Sequence, residues 1–309
     1  MLKLAAIVGP TAVGKTELSI KIAQQIRGEI ISCDSMQIYR EMNIGTAKAD
    51  PLARAKVPHH MLDIVSVFDD YSVADYKETA QQLIRVINQG GNVPILVGGT
   101  GLYYQAVVDD FEFFPMKMKN QVREKWQQII IETGIDYAYQ HLKEIDPDYA
   151  RKISPNDQKR IIRGIEVYEL TGNPFSIQQK RKTDAYNLAA VGLCLNRKEL
   201  YERINTRVED MIKQGLVEEV YNLKKNGCNL SMNSMQALGY KQVLYYLDGF
   251  ITEREMIDEL KKETRRYAKR QLTWFKKDKR IKWFEVMKQE EDTLVKKILY
   301  YLEGQLSNL

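Results

Sequence analysis

The octapeptide Gly9-Pro10-Thr11-Ala12-Val13-Gly14-Lys15-Thr16 constrains this chain more than any other feature in it. A glycine, four residues and then Gly-Lys-Thr form a loop whose amides point inward on phosphate oxygens. A following helix adds its positive end, the lysine neutralises charge, and the threonine hydroxyl is placed to ligate Mg²⁺. The flanks meet the requirement of a strand before and a helix after. Residues 4–8 (Leu-Ala-Ala-Ile-Val) are an apolar run of strand length, and residues 17–26 carry Leu18, Ile22 and Ile26 at helical spacing. A chance match in a chain of this size has a probability of roughly 1%, so the loop is read as a phosphate site.

The same alternation recurs. Residues 29–33 and 93–97 read as strands, the second after a helix over about 73–88, and repeated βαβ units imply a parallel sheet covered on both faces. The predicted fold class is α/β, a P-loop NTPase-like parallel sheet with helices on both faces plus an inserted helical domain. Both later strands end in polar or glycine residues, Asp34-Ser35 and Gly98-Gly99-Thr100-Gly101. The carboxyl ends of parallel strands are where α/β folds place their ligands, so these loops are expected beside the P-loop. From Met116 to Tyr186 the pattern turns to charged helical segments broken at Gly134, Pro147, Pro155 and Gly172-Asn173-Pro174. An apolar run at 188–195 then returns to the sheet. The domains are accordingly 1–115 with 187–309 as the core and 116–186 as the insertion, and 198–309 reads as helices.

The 309 residues, 44% hydrophobic and 28% charged, suffice for a substantial core. Cys33, Cys194 and Cys228 are widely separated and form no CxxC pair, which fits a reducing compartment. Met1-Leu2-Lys3 runs directly into the first strand, leaving no room for a signal peptide, and no run of about 18 apolar residues follows. A cytoplasmic monomer is expected, with no membrane partner. The net charge of +5 is unevenly distributed. Lys261 to Lys282 holds eleven Lys or Arg against Glu263 and Asp278, a local +9 that leaves about −4 for the rest. Tyr267, Trp274, Phe275 and Trp283 are interleaved with those charges, as in nucleic-acid contacts, although a solvated helix face is the alternative.

Asp34 could reach a nucleophile held near the P-loop phosphates, or could cap a turn. Thr100, among glycines that permit close backbone approach, could donate to a leaving oxygen or close a tight turn. The strand at 93–97 ends in Gly98, where many P-loop nucleotidases carry a carboxylate for Mg²⁺, which argues against simple ATP hydrolysis. His59-His60 lack ligand spacing and are assigned a structural role. In the insertion, Lys159 and Arg163 share one helix face with Arg160 beside them, and Ile161, Ile165 and Tyr168 share the other, again compatible with a solvated surface. Arg207 is unremarkable on composition.

Five ordered motifs carry a resemblance. They are the P-loop, Asp34-Ser35-Met36-Gln37-Ile38-Tyr39, Asn43-Ile44-Gly45-Thr46-Ala47-Lys48, Val97-Gly98-Gly99-Thr100-Gly101-Leu102-Tyr103 and Leu238-Gly239-Tyr240-Lys241. Together they resemble the bacterial tRNA dimethylallyltransferase family over nearly the whole chain. The resemblance implies transfer of a dimethylallyl group from dimethylallyl diphosphate to the exocyclic N6 amine of the adenosine immediately 3′ of the anticodon, in tRNAs reading codons that begin with U. It implies Asp34, Thr100 and Arg207 as catalytic residues: Asp34 accepts from the adenine amine, Thr100 contacts the bridging oxygen, and Arg207 with Lys15 neutralises the leaving diphosphate. Gly9, Pro10, Thr11, Ala12, Val13, Gly14, Lys15 and Thr16 would hold the diphosphate and Thr16 would ligate Mg²⁺. By the same resemblance, the anticodon stem-loop would touch Asp34, Ser35, Met36 and Gln37; Lys159, Arg160 and Arg163; Gln236, Gly239, Tyr240 and Lys241; and Lys269, Arg270, Gln271, Thr273, Trp274 and Lys276. Two rivals differ in class. A small-molecule or nucleotide kinase shares the strand, loop and helix but would turn over ATP, and an RNA-binding protein without chemistry would leave the diphosphate donor unconsumed.

Overall fold

A computed structural model describes residues 1–113, 120–178, 181–286 and 291–306. The chain begins with β1 (Lys3–Val8), α1 (Lys15–Gln25), β2 (Gly28–Cys33), α2 (Pro51–Arg54), β3 (His59–His60), α3 (Val73–Gln89), β4 (Val93–Gly98) and α4 (Gly101–Val108). Among the described residues there follow α5 (Asn120–Thr133), α6 (Ile135–Ile145), α7 (Pro147–Ala150), α8 (Gln158–Thr171) and α9 (Phe175–Gln178). Then come β5 (Asn187–Cys194), α10 (Arg197–Lys213), α11 (Leu216–Lys225), α12 (Tyr240–Leu247), α13 (Glu253–Phe275), β6 (Ile281–Glu285) and α14 (Glu291–Leu306). The chain forms two compact units, Met1–Val108 with Asp184–Leu309, and Asp109–Thr183. Met116, the expected start of the insertion, lies outside the described residues, and the second cut falls three residues before the one expected at 187.

Among the described residues of the larger unit the six strands are all parallel, in the order β3-β2-β4-β1-β5-β6. Leu4 through Val8 are fully buried, because β1 sits inside the sheet with helices over both faces. The two faces sort by residue parity. Ala5 and Ile7 pack with Leu18 and Ile22 of α1 and Ile298 of α14, whereas Leu4, Ala6 and Val8 pack with Ile84 of α3 and Tyr104 of α4. A third cluster under α10–α13 surrounds Ile38, Met42 and Tyr240. The strand β6 departs from the expectation that 198–309 is helical. Its five residues, Ile-Lys-Trp-Phe-Glu, lie at the sheet edge, where one-sided pairing and charged side chains leave only a short, weak alternation to read.

Register sets up the site. Val8 lies opposite Gly98 and Cys33 lies opposite Gly98, so the loops leaving β1, β2 and β4 emerge side by side at one edge. Helix α3 begins at a complete capping box, Ser72 with Asp75, just where the sequence turns to helical spacing.

The smaller unit has its own core of Trp126, Ala138, Leu142, Ile161, Ile162 and Ile165. Its helix starts follow the breakers in the sequence. Gly134 precedes α6, Pro147 opens α7, Asp157 accepts from Arg160 N to cap α8, and Gly172 ends α8 in a left-handed turn. Ile161 and Ile165 form the inner face of α8 as the spacing predicts. Lys159 and Arg160 are exposed, Arg160 pairs with Asp157, and Arg163 is half-buried against the carboxylate of Glu166.

Candidate active site at the carboxyl edge of the sheet

The P-loop is built from backbone conformations that ordinary residues rarely adopt. Gly14 has φ +99°, which glycine adopts without Cβ strain, and it places Lys15 as the first residue of α1. Lys15 Nζ folds back on its own loop, donating to Gly9 O at 2.9 Å and Pro10 O at 2.7 Å. Burial, then the nearby Arg207 charge, lower the Lys15 pKa to about 7, with Asp34 acting in the opposite sense. An arriving polyanion favours the protonated form and so draws a proton onto the amine. Among the described residues the Thr16 hydroxyl makes no hydrogen bond, and it faces the same cavity as Lys15.

That cavity, about 360 Å³, is lined by Thr11, Lys15, Thr16, Asp34, Arg207 and Tyr267 among others. A second chamber of about 310 Å³ shares Thr11, Asp34, Arg207 and Tyr267 with it and continues between Met36, Met211, Leu238 and Leu260. The first chamber is cationic, and the second is more apolar. Asp34 stands at the junction. Its Oδ1 accepts from Met36 N at 2.9 Å, a local turn that fixes the carboxylate, while among the described residues Oδ2 has no hydrogen-bond partner. Arg207, from α10, has its pKa lowered by burial and partly restored by Asp34, and no carboxylate lies within ion-pair distance of it among the described residues. A half-buried guanidinium without a paired anion, beside a buried amine, makes a chamber that attracts anions.

Thr100 lines neither chamber. Its hydroxyl accepts from Ser35 N at 3.0 Å and faces Ser35 Oγ at 3.4 Å, and its own amide donates to Cys33 O at 3.1 Å. It therefore braces the turn that carries Asp34. Gln37 is likewise committed internally, accepting from Ser32 Oγ at 2.9 Å and donating to Thr46 O at 3.2 Å. Tyr240 is fully buried. Its hydroxyl donates to Glu219 Oε1 at 2.5 Å, and burial with the Glu219 charge raises its pKa, so its side chain is not placed to reach an RNA. Glu219 also accepts from the amides of Asn43, Ile44 and Gly45, fastening the third sequence motif. Glu219→Ala leaves those three amides and the Tyr240 hydroxyl without their acceptor. It is expected to destabilise folding by about 2–4 kcal/mol. A urea midpoint equal to that of the parent protein would show that water replaces the carboxylate.

The basic helix α13 divides by face. Lys269, Arg270, Thr273 and Lys276 are exposed, whereas Gln271 is buried and Trp274 packs onto Gly101. Arg270 also lines the second chamber and lies over the Tyr267 ring at 5.8 Å. Tyr267 has its pKa raised by burial, then by Asp34. It borders both chambers, although in the sequence it stands only as one aromatic among charges. The usable signal was its spacing, since Tyr267, Gln271 and Trp274 at i, i+4 and i+7 share one helix face. Gln236 and Lys241 are accessible, and Gly239 opens α12 with φ +94°. His59 and His60 bond Val57 O and Glu29, consistent with a structural role. Among the described residues, no group of three or more His, Cys, Asp or Glu side chains could hold a metal. No helix there is long and apolar enough to cross a membrane.

A model of the IPP transferase family matches residues 37–278. The chain is 60% identical over 306 residues to a tRNA dimethylallyltransferase of Syntrophomonas wolfei, covering 99% of both, and 49% identical over 300 residues to that of Carboxydothermus hydrogenoformans, covering 96% of both. Among solved structures it resembles the full-length tRNA isopentenylpyrophosphate transferase of Bacillus halodurans at 41% identity and TM-score 0.75, covering 99% of this chain and 97% of that one. It also resembles a eukaryotic dimethylallyltransferase captured acting on tRNA, at 29% identity and TM-score 0.80, covering 96% and 77%.

Proposed function

The chain belongs to the tRNA dimethylallyltransferase (IPP transferase) family, and from that premise we propose that its two chambers together transfer a dimethylallyl group from dimethylallyl diphosphate to N6 of the adenosine 3′ of the anticodon. The supporting observation is the placement of Asp34, which stands where the cationic chamber meets the apolar one with one carboxylate oxygen free. The diphosphate occupies the P-loop side, with Lys15 and Arg207 neutralising the charge that grows as the carbon–oxygen bond breaks. The prenyl chain extends toward Met36 and Met211. Asp34 accepts a hydrogen bond from the adenine amine, whose lone pair is otherwise delocalised into the purine, and takes its proton as the new carbon–nitrogen bond forms. The Thr100 hydroxyl, which accepts from Ser35 N at 3.0 Å and faces Ser35 Oγ at 3.4 Å, lies beside the Asp34 turn and would turn its proton toward the bridging oxygen when the diphosphate is bound.

Mg²⁺ fits a site of this kind, because the ion keeps several waters and binds through one or two protein oxygens plus substrate phosphates rather than an all-protein cage. Thr16 would hold it, and it would add charge neutralisation on the diphosphate. The protein works as a single cytoplasmic chain on tRNAs reading codons that begin with U, and the adenosine must leave its stack to enter the second chamber.

Nucleoside mass spectrometry of anticodon-loop RNA incubated with dimethylallyl diphosphate and Mg²⁺ tests the reading. Prenylated adenosine at that one position is expected, whereas its absence, with a phosphorylated product formed in a parallel incubation with ATP, would establish the kinase instead. The outer face of α13 gives a separate prediction. Lys269→Ala with Lys276→Ala is expected to raise the KM for tRNA and to lower the slope of log affinity against log salt by about 1 to 2, as the loss of one or two phosphate contacts requires. An unchanged slope would return both lysines to solvent.

A further inference from the structure

Helix α13 carries a polar residue that points inward, away from its exposed basic face. Gln271 is 5% exposed, and both ends of its carboxamide are engaged. Oε1 accepts from Thr11 N at 2.8 Å, and Nε2 donates to Gly99 O at 3.0 Å. Thr11 lies in the P-loop, and Gly99 immediately precedes Thr100, whose hydroxyl braces Ser35 next to Asp34. One side chain thus spans from the diphosphate loop to the loop that supports the base. The fit is close, since a Cβ on Gly99 would lie 2.0 Å from Gln271 Nε2. One turn earlier Tyr267 borders both chambers, and the outward neighbours Lys269, Arg270 and Thr273 are exposed.

We infer that Gln271 is a positioning residue that ties the P-loop at Thr11 to the Gly99-Thr100 loop. The tie keeps the leaving-group pocket and the Asp34 turn in one reactive geometry, and it does so from the helix whose outer face carries the basic residues. The sheet register aligns Val8 with Gly98, but it ends there, and the loops beyond it need a separate brace. A carboxamide suits the task because it presents one acceptor and one donor in a fixed plane. Glutamate would keep the acceptor for Thr11 N, lose the donor to Gly99 O, and bring a negative charge toward the diphosphate. This inference rests on the prenyl-transfer reading, because it assigns the geometry that reaction needs.

Steady-state kinetics of Gln271→Met test it, since methionine fills a similar volume without either hydrogen bond. The expected result is a fall in kcat of about 10-fold to 10²-fold, the scale of a misplacement of about 1 Å, with the KM for tRNA within about 3-fold of the parent value. Gly99→Ala displaces the carboxamide from the opposite side without changing the sequence of α13, and it should lower kcat by a similar factor. The double variant should be no slower than the slower single, because both changes break the same tie. Thermal unfolding of each variant establishes that it is folded, and if the methionine variant is not, Gly99→Ala and Gln271→Asn carry the comparison. An unchanged kcat, a raised KM for tRNA at normal kcat, or independent multiplication of the two effects would overturn the inference. A parent enzyme active with dimethylallyl diphosphate confines such a failure to Gln271, whereas a parent enzyme that transfers nothing removes the prenyl-transfer reading and this inference with it.

Discussion

Asp34→Asn is expected to lower kcat for prenyl transfer by about 10²-fold to 10⁴-fold, the range that a general base contributes, while tRNA affinity changes by less than about 3-fold. The side chain stands where the two chambers meet, fixed by Met36 N through one oxygen. Asparagine retains the size and an acceptor oxygen, so the Met36 turn can persist. It cannot take up a proton from the attacking amine. The change also removes the negative charge that partly offsets Lys15 and Arg207, so the diphosphate itself should bind at least as tightly. That pairing of a slow reaction with undiminished ligand binding separates loss of the base from collapse of the site. Turnover within a few-fold of the parent enzyme would remove Asp34 from the chemistry.

The second large effect concerns the leaving group. Lys15→Met and Arg207→Met are each expected to lower kcat by about 10²-fold to 10³-fold, as loss of one preorganised cationic donor does at other developing anions. The two residues reach the chamber from different elements, the start of α1 and the middle of α10, yet both suffer desolvation without a carboxylate close enough to pair with them. Such charge, only partly offset by Asp34, disfavours the empty fold and favours an anion-bound one. Each variant should therefore be at least as resistant to urea as the parent protein in the absence of ligand, and both should lose the stabilisation that inorganic diphosphate confers on the parent. Stabilisation by diphosphate that survives in both variants would place the anion elsewhere.

The nucleotide-loop half of the fold was open to sequence reading because its physics is local. A phosphate loop must follow a strand and begin a helix, and residues 3–25 do so. Asp34 and Thr100 were legible as strand-end residues, and the sheet register does place their loops side by side. What the sequence could not separate was facing direction. Lys269 and Gln271 are two residues apart on α13, one exposed and one buried between two loops more than 170 residues away in the chain, and only tertiary packing decides that. Tyr240 and Gln37 illustrate the same point. Both sit in motifs with polar character, and both direct that polarity inward, to Glu219 and to Ser32 and Thr46. Strand β6 was hidden for a different reason, since an edge strand of five residues with Lys282 and Glu285 carries too little alternation to stand out within a basic stretch.

In prenyl transfer, a loop widely used to move phosphoryl groups would hold a diphosphate that departs from carbon. Dimethylallyl diphosphate labelled with oxygen-18 at the bridge between carbon and phosphorus distinguishes the two outcomes in one turnover with tRNA. Cleavage of the carbon–oxygen bond sends all of the label into free diphosphate while the adenosine gains the prenyl group, which is the predicted result. Label retained on dimethylallyl alcohol, or a phosphorylated product, would show that the phosphorus–oxygen bond breaks instead and would contradict the account.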